Sequence, residues 1–153
     1  MLLNMNNRSL RIIYLSSSIF VLTIGILCYF LFRNTSNLLF FKMIKLNIMH
    51  EYVISLPDNA FSSFIKYNLC DGLWILSGIL FFRFIWFNNL KISQYYVIIF
   101  IFIALIHQFL QIIEYIPGTF DIMDIITMVV FALLEQLLYF YTTRRRLKWV
   151  KIG

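Results

Sequence analysis

The sequence predicts an all-α fold: a polytopic membrane protein with four transmembrane helices and an interfacial segment in its long first loop. Of its 153 residues, 61% are hydrophobic and 13% are charged, and the mean hydropathy is +0.84. Soluble globular chains contain about 45–50% apolar and about 25% charged residues. The apolar excess indicates lipid as the solvent, in which about 20 apolar residues form one helical span. We expect residues 1–153 to form one domain.

Four continuous apolar segments have the length of a membrane span. They are Leu10–Phe32, Asp71–Phe87, Tyr95–Tyr115 and Ile122–Thr142. The first segment is longer than the apolar region of a signal peptide, which has about 7–15 residues, so we expect it to be retained as a span.

The loop between the first two spans, Arg33–Cys70, is not a polar linker. Its stretch "LLFFKMIKLNIM" mixes apolar residues with lysines, a composition that suits a segment lying in the membrane interface. The following "SLPDNAFSSFIKY" predicts a turn at Pro57–Asn59 and then a short surface helix.

Basic residues near the span ends predict the orientation, because cytoplasmic ends carry an excess of Lys and Arg. Arg8 and Arg11 precede the first span, Lys91 follows the second, and Arg144–Arg146 follow the fourth. We therefore expect both termini to be cytoplasmic and the loop 33–70 to be external. The net charge of +6 is concentrated at the C-terminal end, where a membrane face accounts for it and no nucleic-acid partner is needed.

Polar residues form one stripe on each of the last two spans. On the third span, His107, Gln111 and Glu114 share a helix face, and Gln108 borders it. The stripe on the fourth span consists of Asp124, Thr127, Phe131, Glu135 and Thr142. Ionisable groups at membrane depth usually face the bundle interior, so we expect these stripes to form a polar seam.

The stretch "EYIPGTFDIMDII", Glu114–Ile126, forms an acidic corner at the external end of that seam. Helix capping accounts for Asp121, and equally for Asp71 at the start of the second span. Asp124 lies inside the first turn, where a cap is not required. We therefore predict a ligand site at this corner, with these candidate contacts: Asp124, Glu114, Gln111, Gln108, Asp121, Asp71 and Asn68.

Arg83 and Glu135 are expected to form a structural ion pair. Each lies about three turns below the external end of its span, and pairing would remove the cost of either buried charge. A role for Glu135 in transport is the alternative.

No motif in the chain specifies catalysis, a cofactor or a metal. There is no HExxH, CxxC, GxSxG or glycine-rich phosphate loop, and we expect Cys28 and Cys70 to be unpaired thiols. His107 is expected to be a hydrogen-bonded interior residue and not a metal ligand. We predict no cofactor and no metal.

The corner also resembles the VanZ-like family of small bacterial membrane proteins. The pattern is a pair of glutamines, Gln108 and Gln111, then a short turn, then "D-I-x-D-I-I" with Asp121 and Asp124 opening the last span. The resemblance implies a four-span fold in the bacterial cytoplasmic (inner) membrane and a role in the cell envelope. It implies no reaction.

Three functions remain open on this evidence. The first is binding of an envelope lipid, a glycopeptide-like ligand or a partner protein at the acidic corner. The second is a structural, accessory or immunity-type subunit that packs against a larger membrane protein. The third is an enzyme acting on a lipid-linked substrate, with Glu114 or Asp124 as general base.

Overall fold

The computed structural model describes residues 7–32, 57, 59–113 and 120–150. Within these ranges the chain forms four long helices and no strand. They are α1, Asn7–Phe32; α2, Ala60–Ile85; α3, Leu90–Ile112; and α4, Ile122–Val150. All four are long and apolar enough to span a membrane.

Side-chain caps start the last three helices. Asn59 accepts a hydrogen bond from the backbone N–H of Ser62 at 2.8 Å, and Asn89 accepts one from Ile92 at 3.1 Å. Asp121 Oδ1 accepts from the backbone N–H of Met123 at 2.9 Å at the start of α4. Such caps satisfy N–H groups that have no partner in the first turn of a helix. The capping role predicted for Asp121 is therefore confirmed.

The second helix begins earlier than the sequence predicts. The predicted short surface helix is continuous with the span, so α2 starts at Ala60 and not at Asp71. Asp71 consequently lies inside a helix, and its predicted role as the cap of that span is wrong. Ser62, Asn68 and other polar residues lower the hydropathy of this stretch, but Ser62 and Asn68 are buried in the structure. The interfacial segment predicted upstream lies outside the described residues.

Helix α2 contains one π-helical segment, Phe64–Asn68, which ends with the Leu69 N–H donating to the carbonyl of Phe64. The wider turn is rare in proteins and occurs mostly as short interruptions, frequently at functional sites. Here it places Asn68 at the junction between the polar start of α2 and its apolar remainder.

Helix α2 is the centre of the bundle and packs against the other three helices. Ser18 on α1 and Ser77 on α2 bond reciprocally, each hydroxyl donating to the other's backbone carbonyl at 2.9 and 3.1 Å. A Cβ atom on Gly72 would lie 2.7 Å from Thr127 and Phe131, so α2 and α4 approach closely there. Small residues permit such approaches between apolar helices.

The apolar core lies where α2, α3 and α4 meet. Its buried members are Ile75, Ile79, Val97, Met128 and Ala132. The contacts at both ends of α2 show that α2 and α4 run parallel, whereas α1 and α3 run antiparallel to them. This topology gathers the polar residues at two levels of the bundle.

Candidate functional site

The acidic corner of the structure lies where the π-helical segment of α2 meets the start of α4. The side-chain amide of Asn68 donates to Asp124 Oδ1 at 2.8 Å and to Asp121 Oδ2 at 3.3 Å. Asn68 and Asp124 are 5% and 7% exposed, and Asp121 is half-buried. Three of the predicted contacts are therefore brought together by the fold.

The charges at this corner are not balanced. Two carboxylates converge on one amide nitrogen, and within the described ranges neither Asp121 nor Asp124 forms an ion pair. Ionised carboxylates accept hydrogen bonds and donate none, and like charges held close together repel. The arrangement therefore attracts a cation or a group with several hydrogen-bond donors.

Gln108 is the third-helix residue that faces the interior. It is 5% exposed, and its Oε1 atom is buried without a hydrogen-bond partner in the structure. A Cβ on Gly78 of α2 would overlap the ring of Phe100, which lies about two turns before Gln108 on the antiparallel α3. Gln108 therefore lies towards the same end of the bundle as Asn68.

The predicted polar face of the third span is rotated by one residue. His107 is exposed and Gln111 is half-buried, so the interior position predicted for His107 is wrong and Gln108 occupies it instead. The sequence spacing was compatible with either face, because apolar residues surround α3 on all sides. Glu114 lies outside the described residues, and Asp71 lies about one turn beyond Asn68 on α2, half-buried.

A second polar cluster lies towards the other end of α2, around Arg83. Its guanidinium donates from Nε to Glu135 Oε1 at 3.1 Å and from Nη2 to Glu135 Oε2 at 3.3 Å. Arg83 is 1% exposed and Glu135 is 3% exposed. The predicted pairing of these residues is present as a bidentate ion pair, the geometry in which arginine binds a carboxylate most strongly.

Three further polar side chains accept hydrogen bonds from the arginine. Arg83 donates to Ser93 Oγ at 3.3 Å, Gln94 Oε1 at 2.9 Å and Gln136 Oε1 at 3.1 Å. The guanidinium carbon, Cζ, lies 3.4 Å from the centroid of the Tyr139 ring, in cation–π contact. We call these residues, with Glu135, the arginine network.

Sequence reasoning missed most of this network. Gln94 and Gln136 each stand in an apolar helix, and a polar residue at such depth is itself a signal for an interhelical contact. The predicted stripe on α4 holds for Asp124, Thr127 and Glu135, which are buried. It fails at Thr142, which is exposed and bonds back to the Tyr139 carbonyl at 2.9 Å.

Among the described residues, no group of three His, Cys, Asp or Glu side chains could hold a metal ion. Cys28 and Cys70 do not form a disulfide. Among the described residues, these two clusters are the buried interhelical sites that contain charged side chains.

The described part of the chain is therefore all-helical, with four helices of membrane-spanning length and two interhelical clusters that contain charged side chains. Comparison with known proteins adds no relative, since no family model, curated protein or solved structure matches the chain. The function must be argued from the contacts themselves.

Proposed function

We propose that this chain is an integral membrane protein of the bacterial cell envelope that binds a ligand at the acidic corner. The ligand would be an envelope lipid, a glycopeptide-like molecule or a partner that presents an amine or several hydrogen-bond donors. The observation that carries the proposal is the convergence of Asp121 and Asp124 on one amide nitrogen with no described cation paired to them. A donor-rich ligand would supply the missing positive charge or hydrogen bonds.

The membrane setting is supported by the surface of the helices. Large apolar side chains are exposed on all four helices, among them Phe20 on α1, Phe102 on α3 and Leu137 on α4. Monomeric soluble proteins rarely expose contiguous apolar patches of more than a few hundred Å². Lipid tails are the solvent that such a surface favours.

The proposed orientation has both termini in the cytoplasm and the acidic corner outside. Arg11 on α1 lies 4.9 Å above the ring of Phe84, which brings the start of α1 to the end of α2. Lys91 lies in the first turn of α3 at this same end, and α4 also ends there. An end with this excess of Lys and Arg is the one that the positive-inside rule assigns to the cytoplasm.

Membership of the VanZ-like family is part of this proposal. Its support is the sequence pattern of Gln108, Gln111, Asp121 and Asp124, and the layout of spans around a long first loop. The family's envelope setting agrees with a corner at the outer face of the cytoplasmic membrane.

One feature makes the corner suitable for binding. The π-helical turn that ends at Asn68 is a local distortion of the kind often found at functional sites.

An accessory subunit is the second candidate, and one observation favours it. Asn68 and Asp124 are almost fully buried and bond to each other, so they also act as a clasp between α2 and α4. If that clasp is their whole role, the exposed apolar faces of α1 and α3 are left to pack against a larger membrane protein.

The test separates a clasp from a binding site. Replacing a hydrogen-bonded pair by apolar residues of similar shape is nearly neutral for stability, so Asn68→Leu combined with Asp124→Leu should fold. The matched control is Ser18→Ala with Ser77→Ala, which removes an uncharged buried polar pair between α1 and α2. Each variant is purified in mild detergent, and the retained lipids and proteins are identified by mass spectrometry.

Loss of a bound ligand in the corner variant but not in the serine control would support the proposed site. Retention of a stoichiometric protein partner by both variants, with no ligand in the wild type, would refute it and favour the accessory subunit. Turnover of a bound lipid-linked molecule that stops with Asp124→Asn would instead favour the enzyme hypothesis.

A further inference from the structure

The two cysteines of the chain lie on helices that pack against each other. Cys28 is on α1 and Cys70 is on α2, and the structure has no disulfide between them. Cys70 is 1% exposed, and Cys28 is half-buried. A buried cysteine ordinarily serves as a small apolar side chain, so a further role requires that the two thiols can meet.

Contacts between α1 and α2 give the register of this antiparallel pair. Ser18 and Ser77 exchange hydrogen bonds at 2.9 and 3.1 Å. Further along α1, a Cβ atom added to Gly25 would lie 3.4 Å from Leu73 Cβ and 3.9 Å from the carbonyl oxygen of Cys70. The backbone of Cys70 therefore lies against the face of α1 that carries Gly25.

The two cysteines come next in this register. Because the helices run in opposite directions, three residues forward from Gly25 and three residues back from Leu73 lead to the same level of the bundle. The residues at these positions are Cys28 and Cys70. Cys28 lies one turn beyond Gly25, and Cys70 lies two turns before Ser77, so each is on the side of its helix that faces the other helix.

The two backbones are close enough at this level for a covalent link. A disulfide needs Cβ atoms about 3.5–4.5 Å apart. One turn away, the distance of 3.4 Å between an added Cβ on Gly25 and Leu73 Cβ shows that α1 and α2 approach that closely. We therefore expect rotation of the two cysteine side chains, without a movement of the helices, to bring the sulfur atoms within bonding distance.

We propose that Cys28 and Cys70 are a redox pair that closes a disulfide between α1 and α2 by exchange with a disulfide-bearing oxidant. The half-buried Cys28 attacks first: its thiolate bonds to one sulfur of the oxidant and releases the other as a thiol. The Cys70 thiolate then attacks the Cys28 sulfur and releases the second thiol. The two cysteine protons pass to the two released sulfur atoms, so the oxidant is reduced as the cysteines are oxidised.

The pair lies towards the end of the bundle that carries the acidic corner. Cys28 is four residues before Phe32 at the end of α1, and Asn68 is two residues before Cys70. This end is the one proposed to face outwards, where disulfides form and persist. Closure would fix α1 to α2 beside the π-helical turn, and it needs no ligand at the corner.

The test follows thiol–disulfide exchange of the purified, reduced full-length protein in mild detergent. The oxidant is 4,4′-dithiodipyridine, an apolar disulfide that releases a thiopyridone, measured by its absorbance, at each attack. The wild type is expected to release two thiopyridones per chain and to become lighter by two hydrogen atoms, with no pyridyl group attached. Intact mass spectrometry measures that mass, and a non-reducing gel detects links to a second copy.

Two variants locate the disulfide. Cys70→Ser should stop after the first exchange and keep one pyridyl group on Cys28. The matched control combines Leu27→Cys with Cys28→Ser, which retains two thiols at almost the same depth but moves one to a face of α1 that is 52% exposed. This control should form the internal disulfide about tenfold or more slowly than the wild type, because its thiols are not held together.

A wild type that keeps two pyridyl groups, that stays reduced, or that links only to a second copy would overturn the proposal. Equal rates of closure in the wild type and the Leu27→Cys, Cys28→Ser control would do the same. If the thiol left in Cys28→Ser reacts as fast as the one left in Cys70→Ser, the assignment of Cys28 as the attacking thiol is wrong.

Discussion

The arginine network allows a double-mutant cycle with a large expected coupling. The three variants are Arg83→Leu, Glu135→Leu and the double variant. Removing either partner alone leaves the other charge buried, at 1% or 3% exposure, without its counter-ion. Removing both leaves no net charge and fills the site with apolar side chains.

The expected changes in the free energy of unfolding follow from this difference. Breaking a buried pair by removing one partner costs about 3–5 kcal/mol, whereas replacing the whole pair by apolar residues is often neutral. The double variant also loses three hydrogen bonds from Arg83 to neutral acceptors, on Ser93, Gln94 and Gln136. Interhelical hydrogen bonds in membranes average about 0.6 kcal/mol each, which gives about 2 kcal/mol for the double variant. The coupling between the two positions should therefore exceed about 3 kcal/mol.

The assay is reversible unfolding of the purified protein in mixed micelles, followed by circular dichroism as SDS is added. Single variants should unfold at clearly lower SDS fractions than the wild type, and the double variant should recover most of that loss. A double variant whose destabilisation equals the sum of the two single effects would refute the reasoning. So would single variants that each lose less than about 1 kcal/mol, because the charges would then be solvated and not buried.

Two further predictions concern the packing of α2. Gly78→Val should destabilise the bundle by about 1–3 kcal/mol or more, because its Cβ would overlap the ring of Phe100. Gly25→Ala should be tolerated, because an added Cβ there lies 3.4 Å from its nearest neighbour, an ordinary van der Waals distance. Thermal unfolding in detergent compares the two, and equal melting temperatures would contradict the close helix contact. Replacing Ser18 and Ser77 together by Ala should cost about 1–2 kcal/mol from the two reciprocal hydrogen bonds. An unchanged SDS midpoint for that variant would show that the serines do not join α1 to α2.

The two polar clusters differ in their charge balance and in which groups are left without a partner. In the arginine network the charges balance, and what remains unsatisfied are neutral donors on Gln136 and Tyr139. At the acidic corner, two carboxylates accept from the amide of Asn68, and no described cation is paired with them. The arginine network is therefore a closed structural contact, whereas the acidic corner favours a donor-bearing or cationic ligand.

Several features could be predicted because they depend on local chemistry alone. Long apolar runs predict helices of spanning length, and Asp121 before an apolar run predicts a cap. The match of Arg83 with Glu135 could also be predicted, since a buried charge needs a partner and helical rise gives the depth of each.

Other features required the packing of helices against one another. On α3, every face is apolar enough for lipid, so the sequence could not show that Gln108 is buried and His107 exposed. Likewise, hydropathy placed the start of the second span at Asp71 and not at Ala60, because it does not show that Asp121 and Asp124 at the start of α4 accept hydrogen bonds from Asn68. Composition and period determine which segments form apolar helices, whereas the rotation of each helix, and therefore which polar atoms meet, depends on contacts between residues far apart in the chain.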